Sequence, residues 1–182
     1  MVTHIPAEAH GDERGVLLSY MAAERGAIRR SLLGLTEEQA ASRPSASELC
    51  LSGLLKHVAE AELSWLRMAQ HRQNEKQRDE DTWGDSFRLV GGETVPDVLA
   101  LWDGVAKETE EFLRSAPDLD ETFPLPDVPW FPKDGRVSLR WMALQLIREI
   151  SRHAGHADII RESLDGRTAF ELIAMEGAQQ ES

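Results

Sequence analysis

One carboxylate and two imidazoles interrupt an apolar face in the stretch from Ser138 to Leu164. At steps of three and four residues this face contains Met142, Leu146, Glu149, His153, His156, Ile160 and Leu164. Residues with this spacing lie on one side of an α-helix, and burying such polar groups without partners costs several kcal/mol. Because Glu149 and His153 are neighbours on adjacent turns, the pattern is consistent with a metal site. Hydrogen-bonded core groups, or a rotated helix whose polar face meets water, would also explain it.

The same stretch has the start and stop signals of one long helix. Ser138 is a suitable N-cap, because its hydroxyl can accept a hydrogen bond from a backbone N–H of the first turn. Gly166 is a suitable C-cap, and no proline lies between them. We therefore predict a single helix from Ser138 to Leu164.

A third imidazole lies on another predicted helix, which we expect to begin at Ser52 and to end near His71. Its apolar face contains Leu54, His57, Ala61, Trp65 and Met68. Taken alone, His57 is more typical of a hydrogen-bonded core histidine than of a ligand. Beside Glu149 and His153 it is the obvious third ligand, since two imidazoles and a carboxylate suit a zinc ion that keeps one position open. Non-haem Fe(II) and other divalent ions accept the same set.

Such a site has more than one chemical use. A bound metal lowers the pKa of an acidic group that binds to it, whether water or a thiol, and the thiolate is the nucleophilic form of a thiol. The ligand set is therefore consistent with hydrolysis or with thiol transfer, and the spacing does not choose between them. A bundle that binds a metal or a small molecule without catalysis is the alternative.

Composition and charge exclude several classes of partner. The chain has 182 residues, enough for one globular domain with a core. Acidic residues outnumber basic ones by 32 to 20, for a net charge of −12, which argues against a nucleic-acid or an anionic-membrane partner. We see no apolar run long enough to span a bilayer and no signal peptide. The single cysteine, Cys50, fits a reducing cytoplasm, and we expect it to be a small buried residue.

Further helix signals predict an all-α fold. The first helix is expected from Asp12 to Leu35. Glu24 lies close to its apolar face and could support a metal ligand, but we expect it in a salt bridge at the helix edge. A capping box follows at residues 36–39, and another long helix begins after Thr94, with Pro96 in its first turn. No segment alternates as a strand would, so four long amphipathic helices with a long second-to-third connection indicate a four-helix bundle.

The domain organisation is predicted to be simple. Residues 12–166 form the bundle, residues 1–11 an N-terminal arm, and residues 167–182 a C-terminal tail with a short helix from Ala169 to Met175. No internal repeat, phosphate-binding loop or dinucleotide-binding glycine pattern is present.

Two connecting segments carry aromatic residues whose packing the sequence leaves open. Residues 72–93 are polar apart from Trp83 and Phe87 and a few apolar residues near the end, and residues 116–137 contain five prolines, too many for a helix. A loop of this length is often functional, so the second segment is either a wall or lid over a site or a loop that wraps the bundle. The loop aromatics also make a homodimer plausible.

Two motifs resemble those of a known superfamily. The sequences LSGLLKHVAEAELSWL around His57 and REISRHAGHADIIRE around Glu149 and His153 resemble the DinB-like superfamily, in the branch related to mycothiol-dependent maleylpyruvate isomerases. The resemblance covers most of residues 12–166. It implies a four-helix bundle that holds a divalent metal, with zinc favoured, through His57, Glu149 and His153. Many relatives have Gln at the position of His156, so the resemblance implies that His156 supports a ligand and is not one itself.

The resemblance also implies a reaction. Several members of the superfamily use low-molecular-weight thiols as co-substrates, so we expect a thiol S-transferase whose partners are a mycothiol-like thiol and an electrophile. The isomerases carry a further C-terminal domain, and this chain ends soon after the fourth predicted helix, so transfer is expected and isomerisation is not. A metal-dependent hydrolase remains an alternative. We expect the protein to act in the cytoplasm.

Overall fold

The fold is mostly helical, as the sequence predicts. It is described from a computed structural model for residues 12–74, 78–79, 81–129 and 131–180, and the expected N-terminal arm lies outside these residues. The α-helices of the described residues are α1 (Glu13–Ser31), α2 (Glu37–Ala41), α3 (Leu51–Ala69), α4 (Val95–Ser115), α5 (Leu139–Asp165) and α6 (Ala169–Gln180). A 3-10 helix (Trp83–Phe87) lies between α3 and α4, and the strands β1 (Thr122–Pro124) and β2 (Arg136–Ser138) pair antiparallel before α5.

Helices α2, α4 and α5 carry the predicted caps. Ser138 accepts a hydrogen bond from the backbone N–H of Trp141 at the start of α5, and Gly166 follows the end of that helix with a φ of 78°. Glycine adopts this left-handed conformation without strain. Thr94 and Thr36 form the capping boxes of α4 and α2.

Four local features differ from the prediction. Helix α1 ends at Ser31, four residues before the expected Leu35. Helix α3 begins at Leu51, so the expected cap Ser52 lies buried inside the helix. The proline-rich segment contains β1 and β2, which the sequence did not indicate because three residues are too few for an alternating pattern to stand out. Helix α6 extends to Gln180, beyond the expected Met175, and packs on α1.

Helix α3 lies at the centre of the packing. It contacts α4, α5, the 3-10 helix, α2 and β1, whereas α1 packs mainly on α5 and α6. One apolar cluster joins α3 with α4 and α5, and a second joins α1 with the start of α5 and β1. Cys50 is buried, as expected. No helix in the described part of the chain combines the length and apolarity that crossing a membrane requires.

Helix α3 also buries charged side chains, and each has a partner on another element. Glu62 is 0% exposed and accepts hydrogen bonds from Nε and Nη2 of Arg25 on α1, at 3.0 and 2.5 Å. It also accepts one from Nε1 of Trp102 on α4, at 2.8 Å. Lys56, Glu60 and Arg67 of α3 are buried as well, and they pair with the partly buried Glu93, Arg78 and Glu108, respectively.

Replacing Glu62 with Ala is expected to destabilise the fold strongly. The Arg25 guanidinium and the Trp102 N–H would lose their buried partner, and removing one member of a buried pair lowers the free energy of unfolding by about 3 kcal/mol or more. The control is Glu111→Ala, which breaks the exposed pair with Lys107 at 4.0 Å and should change stability by less than about 1 kcal/mol. Urea unfolding of the two variants measures the difference, and similar losses would contradict the prediction.

Candidate metal centre

His57, Glu149 and His153 come together where the middle of α3 packs against the middle of α5. Oε1 of Glu149 lies 3.3 Å from Nε2 of His57 and 3.2 Å from Nε2 of His153. One ligand atom from each residue lies within 4.8 Å of the other two. The side chains of His57, Glu149 and His153 are 12%, 23% and 8% exposed. The structure therefore brings together the three residues that the sequence singled out, and we call them the trio.

The two separations that involve Glu149 fit a divalent metal ion. Two ligand atoms that each lie 2.0–2.1 Å from a tetrahedral zinc ion are about 3.3 Å apart, and both contacts of Glu149 have this length. Imidazole nitrogen and carboxylate oxygen are also donors that zinc and other divalent transition metals accept. The trio is therefore a candidate site for a divalent metal, whose identity the donor set leaves open.

Glu149 is in the form that binds a metal. Hydrogen bonds from His153 and then from His57 hold the pKa of the Glu149 carboxyl well below its usual range, against the opposing effect of burial. The group is therefore a carboxylate at neutral pH, as metal binding requires.

His156 lies one turn beyond His153 and contacts the side of its ring that faces away from Glu149. Its Nδ1 is 3.4 Å from Nδ1 of His153, the ring nitrogen that does not face Glu149. Burial lowers the pKa of His156, and the charges of His153 and Arg152 add to the effect. A neutral His156 can share a hydrogen bond with His153, and such a contact to the second nitrogen of a histidine fixes the orientation of its ring.

Phe87 belongs to the surroundings of the trio, although the sequence did not assign it there. Its ring stacks on His57 with centroids 4.0 Å apart and an angle of 17° between the planes. Its centroid also lies 6.3 Å from that of His153, with the planes at 62°. An isolated aromatic residue in a polar segment carries no periodic signal that could have placed it. Trp83, the other aromatic of this segment, is 56% exposed.

Glu24 contacts α5 and does not join the trio. The expected salt bridge at the edge of α1 is not found among the described residues; the carboxyl is half-buried and interacts with Ser151 and Asp158. Burial is the main cause that raises the pKa of Glu24, and the Asp158 carboxylate adds to it. The Ser151 hydroxyl and the charge of Arg30 oppose the rise.

The raised pKa of Glu24 predicts that Glu24→Gln stabilises the protein at pH 7. A carboxyl with a higher pKa in the folded state destabilises the fold when it is ionised. The gain from Gln should therefore shrink as the pH falls through the folded pKa and disappear below the ordinary value of 4.5. Denaturant unfolding between pH 4 and pH 7 tests this, with the exposed Glu38→Gln as a control for loss of one negative charge. A gain independent of pH would show that burial of the charge is not the cause.

Comparison with known proteins defines first the class and then the family. The class is that of the DinB-like proteins, and the mostly helical fold is consistent with it. The family model described as mycothiol-S-transferase matches residues 16–166, which include the whole trio. The chain therefore belongs to the mycothiol-S-transferase family, and the resemblance found in its sequence is confirmed.

A solved structure supports the fold. The crystal structure of a conserved protein from Enterococcus faecalis is similar to this chain with a TM-score of 0.67 and 11% sequence identity. The match covers 86% of this chain and 99% of that one. At this identity the likeness shows the fold alone. A search of curated proteins finds no match.

Proposed function

We propose that the protein is a metal-dependent thiol S-transferase, which uses mycothiol or a similar low-molecular-weight thiol against an electrophilic small molecule. The trio of His57, Glu149 and His153, in a chain that belongs to the mycothiol-S-transferase family, carries this proposal. In this proposal α1, α3, α4 and α5 form the four-helix bundle of DinB-like type, and zinc is the favoured metal.

The trio has the donors that the reaction needs. His57, Glu149 and His153 would hold the metal, which supplies a lowered thiol pKa and hence the nucleophilic thiolate. The thiol sulfur forms a bond to an electrophilic carbon, the leaving group departs with its bonding electron pair, and the thiol proton passes to solvent. Phe87 covers one face of the His57 ring.

The position of His156 supports catalysis over a closed structural site. A fourth protein ligand would leave no position for a substrate. His156 instead contacts Nδ1 of His153, the ring nitrogen that does not face Glu149, so we assign it the role of holding the His153 ring. Water could replace the thiol in the same site, and the family match is the reason to favour the thiol.

A homodimer and a cytoplasmic location stay predictions. The aromatic residues Trp83 and Trp141 are 56% and 40% exposed, which is consistent with an interface. The single cysteine supports a reducing compartment.

The transferase proposal predicts metal-dependent formation of a thioether. Zinc-loaded protein mixed with mycothiol and an alkylating dye should form conjugate faster than metal-free protein. Glu149→Gln and His57→Ala should lose this acceleration, because each removes a ligand, whereas the exposed His71→Ala should retain it. Mass spectrometry of the product gives the rate. A panel of mycothiol, cysteine and glutathione with several electrophiles that shows no rate above metal-free protein would refute transfer.

Metal binding should also stabilise the fold without being needed for it. A ligand that binds only the folded state adds on the order of 3–4 kcal/mol at a hundred to a thousand times its Kd, so a chelator should lower the Tm and leave a folded protein. His153→Ala should abolish the chelator response, and His156→Ala should keep most of it. Thermal melts with and without chelator decide this. An unchanged response in His153→Ala would place the metal elsewhere.

A further inference from the structure

The ring of His57 is held differently from that of His153. A histidine that binds a metal almost always donates its second ring N–H to a hydrogen-bond acceptor, which fixes the ring. For His153 the second nitrogen contacts His156. For His57 no such partner occurs within the described residues, and its one hydrogen bond joins Nε2 to Glu149. What the ring has instead is the nearly parallel face of Phe87, with centroids 4.0 Å apart.

Gly53 allows the backbone of Phe87 to lie against α3. A Cβ at residue 53 would be 2.0 Å from the carbonyl oxygen of Phe87 and 2.7 Å from its carbonyl carbon, so any other side chain would displace this segment. Glycine inside a helix costs about 1 kcal/mol relative to alanine. Gly53 lies one turn before His57 on the same side of α3. The helix therefore has this less favourable residue where the Phe87 backbone packs beside the trio.

Lys56 holds the residues that follow Phe87 against α3 through hydrogen bonds. It is 1% exposed, and its Nζ donates to the carbonyl oxygen of Arg88 at 3.0 Å and to Oε2 of Glu93 at 2.5 Å. A buried ammonium needs such partners, because an unpaired charge in the interior is very costly. Lys56, which precedes His57 in the sequence, therefore attaches Arg88, which follows Phe87, to α3.

A second ion pair holds the residues before Phe87. Arg78 donates from Nη2 to both carboxylate oxygens of Glu60 on α3, at 2.6 and 2.8 Å, and from Nε to one of them at 2.9 Å. The segment is thus attached to α3 on both sides of Phe87, by charged pairs at Lys56 and Glu60.

We propose that residues 83–93 act as a fixed clamp, in which Gly53 and Lys56 hold Phe87 against His57 so that Nε2 stays directed at the other trio atoms. Phe87 is a positioning residue, since it acts through His57 and does not touch the reacting atoms. A ring that is already oriented loses less rotational freedom when it binds a metal, and this raises affinity. The use of the clamp for thiol transfer rests on the proposed function, whereas the stacking itself does not.

Zinc affinity tests the clamp with two pairs of matched variants. Phe87→Leu removes the ring and keeps an apolar side chain, whereas Phe87→Tyr keeps the ring. Gly53→Ala displaces the segment, whereas Gly104→Ala makes the same change on α4, where a Cβ would meet nothing within 4 Å. Competition with a chelator should show about 10-fold weaker zinc binding for Phe87→Leu and Gly53→Ala. Phe87→Tyr and Gly104→Ala should bind like the wild type.

A second measurement does not need a metal. In the NMR spectrum of metal-free protein, the stacked Phe87 ring should shift the ring protons of His57 upfield, and Phe87→Leu and Gly53→Ala should lose this shift. Zinc binding by Phe87→Leu as tight as in the wild type would overturn the proposal, and so would unchanged His57 shifts. If Phe87→Leu does not fold, zinc affinity and the His57 ring-proton shifts of Gly53→Ala and Lys56→Met test the proposal instead. A wild-type protein that binds neither zinc nor Fe(II) nor another divalent transition metal would refute the metal-dependent function and, with it, the role of the clamp.

Discussion

The desolvation of charge on α3 is the constraint on which the rest of the structure depends. This helix buries Lys56 and Glu62 almost completely, and an unpaired buried charge would remove a large part of the net stability of a small domain. Each buried charge therefore has a partner on a neighbouring element. Through Glu62 the helix is tied to α1 and α4, and through Lys56 to the connection that leads to α4. These pairs set where each neighbour lies along α3.

The same constraint positions the candidate site. His57 follows Lys56 directly, so the ion pair that anchors the connecting segment also brings an aromatic ring to the imidazole. On the other side of His57, apolar packing between α3 and α5 around Ile150 and Ala154 sets the register of the two helices. The trio is therefore surrounded by groups whose positions are fixed by buried contacts, which a site with defined ligand distances requires.

Local signals in the sequence account for what could be predicted. Helical spacing and capping residues placed His57, Glu149 and His153 on inward faces, because both signals depend on near neighbours. The buried ion pairs could not be predicted in this way. A charged residue in a helical pattern is ordinarily interpreted as solvent-exposed, and Arg25, the partner of Glu62, lies 37 residues away in the sequence. The contact of Phe87 with His57 could not be predicted for a related reason, since it depends on the close approach of the Phe87 backbone to Gly53. The expectation of a metal came from the donor types and their helical spacing, whereas the expectation of a thiol came from the resemblance.

One carboxylate among the ligands has an electrostatic consequence. Glu149 brings a single negative charge, whereas His57 and His153 are neutral when they bind a metal. A divalent cation in this set keeps one net positive charge, where three imidazoles would leave it two. One anionic sulfur ligand would bring the net charge of the metal and its ligands to zero. A neutral ligand would leave one positive charge largely shielded from water, which is costly. The composition of the trio is thus balanced for one monoanionic ligand.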